Sequence, residues 1–402
     1  MEDKALKLTR LQEMDVKNKR VLMRVDYNCP IKDGKVTDPT RIRETLPTLK
    51  HLLAAKSKIV LIAHLGRPKG KVEPKYSLKP CVVELEKLAG VKVHFATDCV
   101  GPEADKVVAA LGPGEIALLE NLRYHPEEEK NDDGFSKLLA KHGDVFVQEA
   151  FGAIHRAHAS TAGVTKYLKG GIGLLVQKEL EFLDRVIGNP QRPFLAILGG
   201  AKVSDKLAVT LRLLDRVDGM LIGGAMSYTF LQAQGVSIGK SLLEKERIPD
   251  AQKIIEKAYA KSVELLLPAD HLAVQEVKED SPSQVSQGMA VPEGWSGVDI
   301  GPRSIEIFEE KIKTAKTIFW NGPMGIFEMK PFSKGSFAVA QAMAEATANG
   351  ATTIVGGGDS LAVLSALGLN GKMSHCSTGG GASLELLEGK ILPGLAALAQ
   401  SK

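Results

Sequence analysis

Short apolar runs recur along the chain at 21–25, 59–63, 91–95, 116–119 and 145–147, each followed by Gly, Asn or Asp and then by a helical pattern. Runs of this length, bounded by turn residues and alternating with 3.6-residue periodicity, predict βα units and a parallel sheet. The pattern starts again at 194–198 and continues through 220–222, 265–267, 317–320, 353–355 and 373–376, which predicts a second sheet of similar size. Between the two series, Leu174, Leu175, Lys178, Glu179, Phe182, Leu183, Val186 and Ile187 fit a helix with one apolar face, stopped by Gly188-Asn189-Pro190. A last apolar segment, 391–399, follows the second sheet with no strand of its own to cover, and is expected to pack back on the first lobe.

The chain of 402 residues is too long for one ordinary core. The expected class is therefore α/β, with two doubly wound, Rossmann-like parallel-sheet domains joined by a hinge helix. The expected division is 1–173, a connector at 174–190, and 191–387, with 388–402 returning to the first domain.

An apolar content of 44% and a charged content of 25% are those of an ordinary globular protein. The 52 basic and 48 acidic side chains balance too closely for a general nucleic-acid binder, so any basic site has to be local. Eight of the fourteen arginines precede residue 160, which concentrates planar donors for phosphate or carboxylate in the first lobe. Cys29, Cys81, Cys99 and Cys376 form no Cys-x-x-Cys pair and are expected to be reduced thiols in a cytoplasmic setting. The N-terminal segment has no apolar stretch of signal-peptide length, no run anywhere reaches that of a membrane span, and a soluble protein is expected.

Ligands of open parallel sheets bind beyond the carboxyl ends of the strands. In the first lobe those loops read Arg24-Val25-Asp26-Tyr27-Asn28, His64-Leu65-Gly66-Arg67, Asn121-Leu122-Arg123 and His155-Arg156-Ala157-His158, and Arg41 stands near the start of a predicted helix. One such arginine is ordinarily a solvated surface residue. Four successive loops crowd like charges at one sheet edge, and an anion would relieve them. His155 and His158 lack the carboxylate or Cys partners of a zinc site and read as structural or anion contacts.

In the second lobe, Gly356-Gly357-Gly358-Asp359-Ser360 leads from a strand into a helix, with Asp359 or Ser360 as its expected N-cap. Bare glycines there would let amides approach a phosphate, leaving Asp359 for Mg²⁺. A ligand-free βα turn explains this motif alone equally well, but a second glycine-rich turn at 377–383 follows the next strand. Lys202 and Lys206, after Gly199-Gly200, are read as neighbours on one helical face, which a polyphosphate would reconcile. Two surface lysines are the plainer reading of that pair. The run Gly235-Val236-Ser237-Ile238-Gly239-Lys240-Ser241 has one residue too few between its glycines for a Walker A loop, and no G-x-G-x-x-G ends an early strand.

Taken in order, RVDYN, HLGRPKG, ENLRYH, HRAHAS, GGAKVSDK, IGKS, WNGPMGIFE, GGGDS and STGGGAS closely resemble the phosphoglycerate kinase family over essentially the whole chain. The resemblance implies reversible, Mg²⁺-dependent phosphoryl transfer from 1,3-bisphosphoglycerate to ADP, giving 3-phosphoglycerate and ATP, by a cytoplasmic monomer without nucleic-acid or membrane partners. It assigns Asp26, Asn28, Arg41, His64, Arg67, Arg123 and Arg156 to the phosphoglycerate. It assigns Lys202 and Lys206 to the nucleotide phosphates, and Asn321, Gly357, Gly358, Asp359 and Ser360 to the phosphate chain, with Asp359 on the metal. Glu328 is implied for the ribose hydroxyls, and Gly199, Gly200 and Gly297 for the adenosine pocket. Arg41 and Lys202 are the implied catalytic pair. Ser360, Gln148-Glu149, Ile154 and Cys29 depart from the family pattern without removing a charged ligand. The alternative is a catalytically silent nucleotide- or anion-binding protein of the same fold.

Overall fold

The computed structural model describes residues 6–401. Strands β1 (Arg20–Arg24), β4 (Lys58–Ile62), β5 (Val93–Ala96), β6 (Ile116–Leu119), β7 (Val145–Gln148) and β8 (Gly170–Ile172) form one parallel sheet in the order β5-β6-β4-β1-β7-β8; β2 (Ile31–Lys32) and β3 (Lys35–Val36) make a separate hairpin. A second parallel sheet runs β11-β10-β9-β15-β16-β17, built from β9 (Phe194–Leu198), β10 (Gly219–Ile222), β11 (Glu264–Leu266), β15 (Thr317–Asn321), β16 (Thr352–Gly356) and β17 (His375–Cys376). Between β11 and β15 in sequence, β12 (His271–Val274), β13 (Ser283–Val285) and β14 (Ser296–Ile300) pair antiparallel as a small third sheet.

The continuous apolar runs form parallel strands because helices cover both faces of each sheet, so no alternation survives. β9, Phe194–Leu198, is buried at every position, and β1 at all but its first. Leu11, Met23, Ile42, Leu61 and Leu118 belong to the core of the first sheet, and Ile197, Phe308, Ile318, Trp320 and Val355 to that of the second. In both sheets the chain starts at the centre, winds to one side, and returns to the other. The reversal falls between β1 and β7 in the first and between β9 and β15 in the second, where loops diverge and leave a crevice.

The chain divides into two units: one runs to Glu181 and takes up the chain again from Ile391, and the other is Phe182–Lys390. The division falls within the helix Leu174–Ile187. The returning helix Pro393–Ala399 lies against β8 and the loop after β7, with the Gly394 amide donating to the Ile154 carbonyl at 2.9 Å. A Cβ on Gly170 would come within 2.7 Å of Leu398, and one on Gly171 within 2.7 Å of the Thr9 carbonyl oxygen. The two glycines thus admit both chain ends to an edge strand.

Glu149, at the end of β7, is fully buried and accepts the Thr48 hydroxyl together with the Leu175 and Val176 amides, at 3.0 and 3.5 Å for the latter two. The Leu174 amide in turn donates to Thr48 Oγ1 at 2.9 Å. The helix Leu174–Ile187 therefore has its first free amides satisfied by two side chains from the first unit, as a helix start requires. Burial pushes the Glu149 carboxyl up to about 8, against the pull of those donors.

A folded-state value above the ordinary carboxyl range means that this group's contribution to stability is complete at low pH and is lost as pH rises toward and through about 8. Glu149→Gln keeps an acceptor that cannot ionise and should flatten that part of the profile, read as urea midpoint against pH by circular dichroism. An unchanged slope in the variant would place its source elsewhere.

Candidate functional site

At the end of β1 the Arg24 side chain is buried, not offered to solvent. Its Nε donates to Ser160 Oγ at 2.9 Å, its Nη2 to His64 Nδ1 at 3.1 Å, and its Nη1 to the Val25 carbonyl. Ser160 passes the interaction to the buried Glu128 carboxylate, donating through its hydroxyl at 2.6 Å and its amide at 3.0 Å. Arg24 is thus the exception among the strand-end arginines: it is a support for His64. Burial first, and the Arg24 charge next, hold the His64 imidazole well below its ordinary value. With Nδ1 accepting from Arg24, the proton sits on Nε2, where it can be donated outward.

Asp26 pairs with Arg41, which the short helix Thr40–Glu44 carries. Burial acts to raise the Asp26 carboxyl, but Arg41 and the cations around it hold it below the usual range. The loop after β4 is clamped from two sides. Asn28 Oδ1 accepts the Gly66 amide at 2.9 Å, and Arg123 Nη1 donates to the Gly66 carbonyl at 2.9 Å. Asn121 fixes the same loop by accepting the Leu65 amide at 3.2 Å and donating to its carbonyl at 2.7 Å. Arg123 has its basicity lowered by burial and by repulsion from Arg156 and Arg67, which brings three guanidiniums within electrostatic reach. Glu129, 3.6 Å away, offsets part of that charge. Arg67 and Arg156 are exposed and pair with no carboxylate among the described residues. His158 faces Glu128 at 3.8 Å, and its value falls to about 4 through burial and neighbouring arginines.

In the second unit, the turns after β9, β10 and β15 approach backbone to backbone. The Gly200 amide donates to the Pro323 carbonyl at 2.9 Å and the Gly224 amide to that of Met324 at 3.0 Å. A Cβ on Gly199 would stand 2.1 Å from the Pro323 oxygen, so the contact requires glycine. Lys206 reaches the side-chain oxygen of Asn321, at the end of β15, and its basicity is lowered by burial although Asp205 and Asp359 favour its charge. The helix here starts only at Leu207, with Lys206 as its N-cap. The expectation of Lys202 and Lys206 on one helical face is therefore wrong. Residues 201–206 form an irregular turn that leaves Lys202 exposed while Lys206 turns inward, because the chain has to pass the glycine crossing before it can coil.

Gly357, at φ 90°, caps the helix Gly358–Ala366 with no side-chain cap bond, which corrects the cap expected from Asp359 or Ser360. The first amides of this helix stay uncovered by a side chain, as an anion site needs. Asp359 is exposed in the first turn, and Ser360 is buried, its hydroxyl accepting the Gly322 amide at 2.7 Å. The second glycine-rich turn is closed on itself: Ser377 and Ser383 hydroxyls meet at 2.6 Å, and the helix behind it, Gly381–Leu387, is short.

A cavity of about 480 Å³ opens between these turns and the small antiparallel sheet. Gly200, Gly297, Glu328 and Asp359 line it, as do Gly224, Tyr228, Lys240, Leu242, Val277 and Met324, which the sequence reading did not place there. Gly297 faces Tyr228 so closely that a Cβ would fall 1.9 Å from the phenol oxygen. The signal that could have found Lys240 was the rejected Walker-like run. Its Lys240 amide donates to the Trp295 carbonyl at 2.7 Å and its Ser241 hydroxyl accepts the Gly297 amide at 2.9 Å, so the run builds a wall of the cavity and not a phosphate loop. Apolar walls with carboxylates only at Glu328 and Asp359 suit a flat heteroaromatic ring bearing a hydroxylated sugar and phosphates.

If the Arg24 contact governs His64, its imidazole should stay neutral, with the proton on Nε2, to well below the usual histidine midpoint. Nitrogen-detected NMR of the imidazoles reads this directly, and a His64 titration near 6.5 would overturn it.

A family model described as phosphoglycerate kinase matches residues 11–390. The phosphoglycerate kinase of Elusimicrobium minutum is 57% identical over 98% of this chain and 99% of its own. A wheat (Triticum aestivum) protein named as cytosolic phosphoglycerate kinase is 52% identical over 96% of this chain and 97% of its own. The solved phosphoglycerate kinase from Coxiella burnetii superposes with a TM-score of 0.88 at 42% identity, covering 98% of this chain and all of that one. These matches extend over both sheets and both clusters, and the chain belongs to the phosphoglycerate kinase family, phosphotransferases with a carboxyl group as acceptor.

Proposed function

We propose that the arginine cluster of the first unit binds 3-phosphoglycerate or 1,3-bisphosphoglycerate, that the cavity of the second binds ADP or ATP, and that the phosphoryl group passes between them. The observation that carries this reading is the pair of unneutralised guanidiniums, Arg67 and Arg156, beside Arg123 and the outward His64 Nε2–H. Together they supply charge and directed donors for a small phosphorylated acid. The same filled charged positions argue against a silent relative of the fold.

The attacking atom in the ATP-consuming direction is a carboxylate oxygen, ionised at neutral pH with a pKa near ~4. No general base is required, and the cluster offers none. His64 is neutral and a donor, and Asp26 is committed to Arg41. The work left to the protein is positioning and charge stabilisation. We assign the equatorial oxygens of the moving group to Arg41 and Lys202, the phosphate chain to Lys206, Asn321 and the Gly357-Gly358-Asp359-Ser360 turn, the ribose to Glu328, and the adenine pocket to Gly199, Gly200 and Gly297. Ser360 contributes through the Gly322 amide that its hydroxyl holds.

Asp359 fits Mg²⁺. It is an exposed carboxylate in the first turn of its helix, at the rim of the cavity and within electrostatic reach of Lys206. A hard cation that takes most of its ligands from phosphates and water needs no more from the protein. When bound, the ion neutralises phosphate charge. The near-balanced net charge argues against a nucleic-acid role, and membership of the family favours a monomer acting on small molecules. No helix among the described residues is long and apolar enough to cross a membrane. We place the protein in the cytoplasm, in line with the name of the wheat relative.

A coupled assay of ATP-dependent phosphorylation of 3-phosphoglycerate should show turnover that requires Mg²⁺. Arg41→Ala and Lys202→Ala should each lower kcat by about a hundredfold or more while leaving binding of 3-phosphoglycerate (Lys202→Ala) or of ADP (Arg41→Ala) nearly intact. Mild effects would remove these side chains from the transition state. In-line transfer also needs the reacting oxygens within roughly 3 Å and water excluded, a task we give to movement about the 174–190 connector. Both substrates together should therefore lower the radius of gyration in solution scattering more than either alone, and an unchanged value would count against that movement.

A further inference from the structure

β5 and β6 are parallel neighbours at one edge of the first sheet, so the segments leaving their carboxyl ends meet. The first carries Asp98 and Cys99; the second, through the turn Leu122–Tyr124, delivers His125. Asp98 Oδ1 and His125 Nε2 lie 2.7 Å apart. A carboxylate oxygen, the Cys99 sulfur and an imidazole nitrogen all fall within 4.8 Å of one another. The imidazole is steadied by the Phe135 ring, with centroids 5.2 Å apart. Ligand atoms at tetrahedral Zn²⁺ sit about 3.3–3.8 Å from one another, given bond lengths of about 2.0–2.3 Å. Side-chain adjustment of about 1 Å would bring the present triangle to that size, with the oxygen–nitrogen edge widening from 2.7 Å.

We propose that Asp98, Cys99 and His125 form a binding site for a thiophilic divalent cation, Zn²⁺ by its chemistry, with water as the fourth ligand. The mixed oxygen, sulfur and nitrogen set suits a borderline metal and is wrong for Mg²⁺, which takes oxygen. The site is therefore chemically separate from the one at Asp359. Cys99 is 1% exposed, while the Asp98 and His125 side chains are 43% and 28% exposed. That leaves an entry path for the ion and a face for water, with the sulfur on the protein side. A plain Asp98–His125 hydrogen bond accounts for two of these residues and gives the thiol no part.

Binding balances simply. The cation forms bonds to the Asp98 oxygen, the Cys99 sulfur and His125 Nε2. The thiol proton goes to solvent, and the imidazole proton now directed at Asp98 moves to Nδ1, so one proton is released per ion.

Cobalt(II) is the probe. Reduced, chelator-treated full-length protein should take up one Co²⁺ with a thiolate-to-cobalt charge-transfer band and the visible bands of tetrahedral coordination, unaffected by excess Mg²⁺ and displaced by Zn²⁺. Cys99→Ser should lose the charge-transfer band, and Cys376→Ser, which alters the partly exposed thiol, should keep it. His125→Gln and Asp98→Asn change partly exposed positions and should each bind Co²⁺ at least tenfold more weakly, with circular dichroism confirming the fold. Absence of a thiolate band in the unaltered protein, or a full-strength band in Cys99→Ser, would overturn the assignment, as would unweakened binding in both of the other variants.

Discussion

Five guanidiniums and a histidine gathered at one end of a sheet repel each other, and the first unit is arranged around keeping them there. Two like charges at about 6 Å, in an effective dielectric near 20, cost about 3 kcal/mol, so each has to be held by something else. Arg24 is sunk beneath the surface and linked through Ser160 to Glu128. Arg41 has Asp26, and Arg123 is held by the Gly66 carbonyl and, at longer range, Glu129. Arg67 and Arg156 are left over. Compensation is thus graded from the buried support outward, and the charge that remains unbalanced is the charge that faces solvent.

The second unit meets a different constraint, closeness of backbone instead of excess of charge. Turns after β9, β10 and β15 pass within contact of one another at Gly199, Gly224 and Gly322, where any Cβ would collide with a carbonyl or amide. That crossing brings Lys206 to Asn321 and sets the floor of the cavity, while Tyr228, on the helix Met226–Ala233, and Gly297, on β14, supply part of its wall. One basic side chain is half-buried here and one is exposed, four residues apart. An irregular turn can separate them in that way, whereas a helix would have placed them side by side.

The parallel strands were legible because burial on both faces makes them apolar throughout, and six of the strands of the second sheet stand where the runs predicted them. β8 was not, since Gly170 and Gly171 signal a turn until the packing of Leu398 and Thr9 against them is known. Nor were β12, β13 and β14, short strands that pair antiparallel with one another outside the repeating βα pattern, with β13 exposed throughout. Most charged positions of the candidate sites could be read from the loops after strands. The apolar lining of the cavity could not, because Leu242, Val277 and Met324 look like any core residue in sequence.

By itself the sequence determined the strand periodicity, the strand-end loops and the residue types within them, all of which depend on local spacing. Whether an arginine in such a loop is offered or buried was decided only in three dimensions: Arg24 and Arg67 are alike in sequence context and opposite in exposure. The protonation of His64 and Glu149 was decided there too, since desolvation and the charges of distant residues govern it. Local pattern specifies which groups are available; packing decides which of them meet water, which meet each other, and so which can act.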